Sequence, residues 1–217
     1  MASTTISSTI HPDYGFHRSF LTKISSSKWD EYADCHLYLY YKLPVLAFVD
    51  PYELANYRDS FTFHHHGNSN LELPVVAMDS EGSSLMLNVT HSGVDLEVQV
   101  PFHLRYGEPA LDGFVSAEVP MPDALFSCPP SEAPMVPSVW PTEFSFVLDG
   151  TRIVPIPPEP TAAASGRVTV PVGNPQDLPL VEAGTALTVI LSFCYLAYIF
   201  YTTGCRLYGP YSKSKSE

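Results

Sequence analysis

Basic residues are scarce. The 217 residues include 11 Lys and Arg against 23 Asp and Glu, a formal net charge of −12. Nucleic-acid phosphates are held by Lys and Arg, so this balance argues against nucleic acid as a partner. Charged residues of both signs make up only 16% of the chain, below the ~25% usual for a soluble domain. Cysteine is sparse too. There are 4, none in a CxxC spacing, which leaves no support for a zinc knuckle or a dithiol redox motif. A nucleophile elbow, a phosphate loop and a dinucleotide fingerprint are all missing, and no internal repeat is present. Pro at 21 outnumbers Gly at 12, which disfavours long helices in all but one segment and favours short strands with Pro-marked ends. Apolar residues nevertheless reach 45%, enough for a packed core and too many for a wholly disordered chain.

One long uncharged run exists. From Ala183 to Thr203 no Asp, Glu, Lys or Arg occurs. A helix over this stretch spans roughly 30 Å, the thickness of a bilayer core. Tyr195, Tyr198, Tyr201 and Tyr208 crowd its end, as aromatic residues do at a membrane interface. The competing reading is a buried helix of a soluble protein, disfavoured because the run is apolar all round. Asp177 and Glu182 precede it; Arg206, Lys213 and Lys215 follow it. The positive-inside rule then places the tail in the cytosol and the larger part in the lumen. A lumenal N-terminus calls for a signal peptide, and MASTTISSTIHPDYG holds no apolar stretch of the roughly 7–15 residues required. The preferred expectation is that the native start lies upstream; the other is a tail anchor of opposite topology.

Several small features bear on the compartment. In an oxidising lumen, Cys35 and Cys128 are candidates for one disulfide, worth about 4–5 kcal/mol by loop entropy; two separate buried thiols are the alternative. Asn88-Val89-Thr90 is a glycosylation sequon. Lys213 and Lys215 stand fifth and third from the carboxyl end, the placing of a dilysine retrieval signal on a cytosolic tail; a plain basic flank is the alternative.

The fold class expected is all-β: a lumenal sandwich-like domain followed by one transmembrane helix. Between Val94 and Tyr106 every even position is apolar, and the odd ones, Pro101 aside, are polar or charged, which marks a strand with one face on a core. Pro101 is expected to bend it, mark an edge or split it. Further strands are expected over 36–41, 71–78, 85–90, 113–119, 144–148 and 167–172. The domain plan is a loosely ordered segment over 1–28, the sandwich over 29–153, a Pro-rich last strand and juxtamembrane stalk over 154–182, the spanning helix over 183–204 and the tail over 205–217. His64-His65-His66 invites a metal reading, but neighbouring strand positions face opposite ways and no Cys or carboxylate pair completes a site. The triplet is expected at a polar loop tip beside Gly67-Asn68. No metal or catalytic residue is assigned, and no cofactor.

A set of motifs carries identity. In order these are His11-Pro12, Cys35, Leu43-Pro44, then Phe48-Val49-Asp50-Pro51-Tyr52-Glu53-Leu54, Leu71-Glu72-Leu73-Pro74, Pro101-Phe102-His103-Leu104-Arg105-Tyr106, and Phe126-Ser127-Cys128-Pro129. Their order and spacing resemble the PIG-X family over roughly residues 11–130, and the single span resembles the family's membrane topology. The resemblance implies a non-catalytic accessory subunit in the endoplasmic reticulum membrane. Its implied partner is a multi-spanning, PIG-M-like catalytic subunit of GPI mannosyltransferase I. That enzyme moves the first mannose from dolichol-phosphate-mannose to the GPI-anchor precursor. Read residue by residue, the motifs also have structural meanings. Asp50-Pro51 reads as a turn after a strand, and Arg105 is expected to pair with Glu72 or Asp50 at the sheet surface. Two other classes stay open: a lumenal carbohydrate-binding or cargo-receptor module using its 13 Tyr, and a small lumenal hydrolase.

Overall fold

The computed structural model describes residues 4–68, 70–78, 81–90, 95–130, 141–148 and 150–208. The chain divides into two compact units, residues 1–172 and 173–217. Among the described residues the first holds eleven strands: β1 (Thr5–His11), β2 (His17–Ser25), β3 (His36–Leu43), β4 (Ala47–Phe48), β5 (Phe61–His66), β6 (Ser83–Val89), β7 (Leu96–Leu104), β8 (Phe114–Pro120), β9 (Asp123–Cys128), β10 (Arg152–Ile156) and β11 (Ser165–Pro171). Helical pieces α1 (Pro51–Leu54) and α2 (Ser145–Leu148) interrupt them, and α3 (Leu178–Tyr208) belongs to the second unit.

Three antiparallel sheets result, in the orders β1-β2-β7-β4, β10-β9-β3-β6-β5 and β11-β8. The two larger sheets share one core. Phe20 of β2 lies 4.9 Å from Tyr41 of β3 and 4.5 Å from Phe102 of β7, ring centre to ring centre. Period-2 alternation chooses the inward set: Phe20, Thr22 and Ile24 on β2, Val98, Val100, Phe102 and Leu104 on β7, and Leu37, Leu39, Tyr41 and Leu43 on β3. Val119, Val168 and Val170 bring the small sheet into the same core.

Three hydroxyls in this core pair with one another. Thr22 Oγ1 lies 2.9 Å from Ser8 Oγ and 3.2 Å from Tyr41 Oη, so one hydroxyl ties β1, β2 and β3 together. Burial pushes the Tyr41 phenol up, so it stays a neutral donor. Cys35 and Cys128 are joined by a disulfide across 93 positions. Phe126 nearby is stacked on Tyr32 and met edge-on by Trp29.

The five-stranded sheet is covered on both faces. Tyr38, Met86 and Leu125 point away from the main core and pack beneath Phe144. Glu143 accepts a hydrogen bond from Ser84 Oγ at 3.0 Å. The expected strand over 144–148 is therefore helical, forming a short 3-10 turn at Thr142–Phe144 and then α2. An apolar run this short has no intrinsic preference, and here it caps a sheet face.

Other expectations are corrected. Thr5–His11 and His17–Ser25 form β1 and β2, with all of β1 paired to Ser19–Ser25, where a loosely ordered segment was expected. Residues 71–78 make no strand but an extended stretch with a 3-10 turn at Val75–Ala77. His64–His66 are no loop tip: they close β5, the edge strand, with His65 half-buried and its neighbours exposed. The alternating strand runs unbroken through Pro101, which faces Ser19 of β2. On its other side β4 pairs only with His103 and Leu104, so the missing N–H of Pro101 removes no bond to β4. The first unit also extends to Val172, past the boundary at 153, because β10 pairs with β9 and β11 with β8.

In the second unit, Asn174 Oδ1 accepts from the Gln176 N–H and Pro175 opens a 3-10 turn that leads into α3. The 31-residue helix is about 46 Å long at 1.5 Å per residue. It begins before the expected 183 and is long and apolar enough to cross a membrane. Thr188 Oγ1 donates to the Gly184 carbonyl and Thr202 Oγ1 to that of Ile199. Both hydroxyls are thereby satisfied within the helix, as an apolar surround requires.

Candidate functional site

Three motif segments far apart in sequence meet at one end of the β1-β2-β7-β4 sheet. Strand register starts the arrangement. His17 on β2 faces His103 on β7, and His103 faces Phe48 on β4, so these three side chains form a row across adjacent strands. The His17 and His103 rings are 4.7 Å apart, and Phe48 stacks on His103 at 5.4 Å.

Glu53 completes the row from α1. Asp50 accepts the Tyr52 N–H on Oδ1 at 2.8 Å, and Pro51 occupies the first helical position. Such a cap satisfies a free N–H and fixes the helix start. The turn expected at Asp50-Pro51 is thus a helix cap. Leu54, 1% exposed, anchors the turn in the core. Glu53 on the same turn receives His17 Nε2 on Oε1 at 3.0 Å and His103 Nε2 on Oε2 at 2.8 Å. Burial alone would raise the Glu53 pKa, but the hydrogen bonds and charges of the two imidazoles outweigh it and hold the carboxyl below its usual range. Both carboxylate oxygens are engaged, so Glu53 is a clasp between α1 and two strands.

Arg105 lies behind Phe48, its guanidinium 4.4 Å from the ring centre. The expectation of a surface ion pair with Glu72 or Asp50 is overturned. Arg105 is only 3% exposed, and Nη1 donates to the carbonyls of Asn70 at 2.7 Å and Leu73 at 2.8 Å. Those carbonyls have no strand partner, so the arginine supplies the donor that a sheet would. Burial lowers the Arg105 pKa, and a guanidinium keeps its charge in proteins. Glu72 is exposed, with its N–H on Asn70 Oδ1. Pro74 opens the 3-10 turn after it, and the Tyr106 carbonyl accepts the Val75 N–H. The Tyr106 ring is 53% exposed and lies parallel to Phe16 at 6.4 Å.

Asp50, Pro51, Pro74, His103, Arg105 and Tyr106 are therefore drawn into one cluster. His11 closes β1 in front of a cis peptide to Pro12. Pro44 ends β3 and accepts the Ala47 N–H. Asn88 is half-buried near the end of β6, between Tyr38 and Thr62. Lys213 and Lys215 lie outside the described residues. Sequence reasoning assigned no role to His17, Phe48 or Glu53. Its available signal was the alternation of β7, which put His103 on the face away from the core; the partners on that face depend on pairing over 86 positions between His17 and His103. A cleft of about 810 Å³ lies elsewhere, between Tyr40, Lys42, His66, Glu118 and Glu143.

The class these features define is a β-rich, disulfide-linked domain followed by one apolar helix of membrane-spanning length, its motifs spent on organising a surface. The chain belongs to the PIG-X / PBN1 family, whose profile matches residues 13–201. It is similar to the Neurospora crassa protein named Pbn1, with 29% identity over 220 residues covering 92% of this chain and 42% of that one. A Gibberella zeae PBN1 is 26% identical over 202 residues, covering 85% of this chain and 41% of that protein. The human protein named GPI alpha-1,4-mannosyltransferase I, stabilizing subunit, is 29% identical over 120 residues, 52% of this chain and 46% of that protein. The chain thus spans less than half the length of these relatives.

Proposed function

We propose that this chain is a non-catalytic subunit that binds and stabilises the catalytic subunit of GPI mannosyltransferase I, the enzyme that adds the first mannose to the GPI-anchor precursor from dolichol-phosphate-mannose. The observation that carries this reading is membership in a family whose human relative is named as the stabilizing subunit of that enzyme. The catalytic partner is a multi-spanning, PIG-M-like protein of the endoplasmic reticulum. The β-rich domain is lumenal and the tail cytosolic, as the acidic flank at Asp177 and Glu182 and the basic flank at Arg206 favour. The Cys35–Cys128 disulfide supports an oxidising compartment.

Mass action supplies the mechanism. A subunit that binds the folded enzyme and not the unfolded one lowers the unfolded fraction in proportion to its occupancy. Exposed aromatics flanking the motif cluster, Phe16, Tyr52 and Tyr106, suit a contact surface, and α3 adds contacts within the bilayer.

The experiment is co-purification of tagged full chain in mild detergent, with the partner's abundance followed after the chain is depleted. A stoichiometric multi-spanning mannosyltransferase that declines on depletion is expected. Recovery of soluble glycoproteins alone would sink the subunit reading and favour a carbohydrate receptor. Topology has its own assays. Endoglycosidase treatment should shift the band, and Asn88→Gln should abolish the shift. Replacing Lys213 and Lys215 by Ser should release part of the protein from the endoplasmic reticulum.

A further inference from the structure

The His17–Glu53–His103 cluster holds more ligand chemistry than a structural clasp needs. Its three donor atoms, two imidazole nitrogens and a carboxylate oxygen, all lie within 4.8 Å of one another. They come from three elements, β2, β7 and α1: the strands are fixed by their mutual register, the helix by the Asp50 cap and the buried Leu54. The His103 ring is further held against Phe48. We propose that His17, Glu53 and His103 bind a divalent transition-metal ion of the zinc class.

The donor set chooses the ion. Two imidazoles and a carboxylate are zinc-type ligands, whereas calcium and magnesium take shells of oxygen. Spacing is compatible. Zinc bonds to nitrogen and oxygen are about 2.0–2.1 Å, which puts tetrahedral donors about 3.3 Å apart. The two imidazoles reach different oxygens of Glu53, Oε1 at 3.0 Å and Oε2 at 2.8 Å, and all three ligand atoms lie within 4.8 Å of one another, so shifts of no more than about 1.5 Å bring them to tetrahedral spacing. Each ring would bind the ion through Nε2 as a neutral imidazole with its single proton on Nδ1, so a proton now shared between Nε2 and Glu53 moves to Nδ1 by way of solvent. Access is open: the side chains of His17, His103 and Glu53 are 55%, 30% and 26% exposed. Three protein ligands leave a fourth position for water. The ion would cross-link α1 to β2 and β7 at the surface where the motif segments converge. This inference rests on side-chain geometry alone and does not depend on the proposed partner.

The test uses untagged full chain in mild detergent, stripped with chelator and titrated calorimetrically with Zn²⁺, then with Ca²⁺. Saturable uptake of one Zn²⁺ per chain, undisturbed by excess Ca²⁺, is expected. His17→Gln and Glu53→Gln should each weaken it about tenfold or more. Gln at the exposed His17 position keeps a donor for Glu53, and an unchanged denaturant midpoint without metal confirms that the variant folds. Co²⁺ in place of Zn²⁺ should show the visible ligand-field bands of a four-coordinate site. Absence of saturable Zn²⁺ uptake would overturn the proposal. So would wild-type affinity in both variants, displacement by Ca²⁺, or a loss of binding that follows His64→Gln with His66→Gln instead.

Discussion

Replacing Thr22 by Val exchanges one hydroxyl for a methyl group and removes a hydrogen-bond partner shared by three strands. Thr22 is fully buried, and its Oγ1 serves Ser8 at 2.9 Å and Tyr41 at 3.2 Å. Val has nearly the same shape, so the change tests polarity with little change in packing. Two buried hydroxyls lose this partner, at about 1–3 kcal/mol each, while the added methyl recovers about 0.8 kcal/mol. The expected net loss is about 1–5 kcal/mol. Tyr41→Phe removes one hydroxyl and leaves the Ser8–Thr22 bond in place, so its cost is about 1 kcal/mol. The triple variant Ser8→Ala, Thr22→Val, Tyr41→Phe removes every member of the network and should be more stable than Thr22→Val alone. That inversion is the signature of unsatisfied polar groups, as opposed to lost contacts. Urea unfolding of the full chain in detergent, followed by tryptophan fluorescence, measures all three. A Thr22→Val cost no larger than that of Tyr41→Phe, or a triple variant less stable than Thr22→Val, would refute the reasoning.

Three further outcomes are expected. Removing the disulfide by Cys35→Ala with Cys128→Ala should destabilise the β-rich unit by about 4–5 kcal/mol on the loop-entropy model, seen as a denaturant midpoint that no longer responds to reductant. Arg105→Met takes away the donors to the Asn70 and Leu73 carbonyls and the cation over Phe48; a loss of about 1–3 kcal/mol should come with faster limited proteolysis around residues 70–78, and an unchanged cleavage pattern would count against its anchoring role. Gly82→Ala should cost about 1–3 kcal/mol, because a Cβ there would overlap the backbone carbonyl of Leu43; midpoints of wild type and variant that coincide would show that the Leu43-Pro44 turn yields freely.

The sequence reading reached furthest where one local rule sufficed. The alternation of residues 96–104 marked β7, and its inward set is the observed one. The uncharged run after Glu182 marked the membrane-length helix, because length and apolarity are properties of a segment alone. It fell short where a segment's state depends on its neighbours. Ser8 and Thr22 read as loop composition, yet hydroxyls that satisfy one another can be buried in strands. Phe144–Leu148 read as a strand, yet an exposed sheet face took it as a helical cover.

The site divides in the same way. Sequence alone determined the class: an all-β-type domain, one membrane-length helix, and motif segments whose order resembles one family. It also determined that His103 lies on the strand face away from the core, since side chains alternate with period 2. Only the tertiary structure decided that His103 meets His17 and Glu53, and that Arg105 is buried on loop carbonyls and not paired at the surface. The physical reason is that periodicity fixes which way a side chain points, whereas strand order and register fix what it meets. Register here is set by packing across the shared core, through contacts such as Phe20 with Phe102 and Tyr41, which no local stretch of sequence contains.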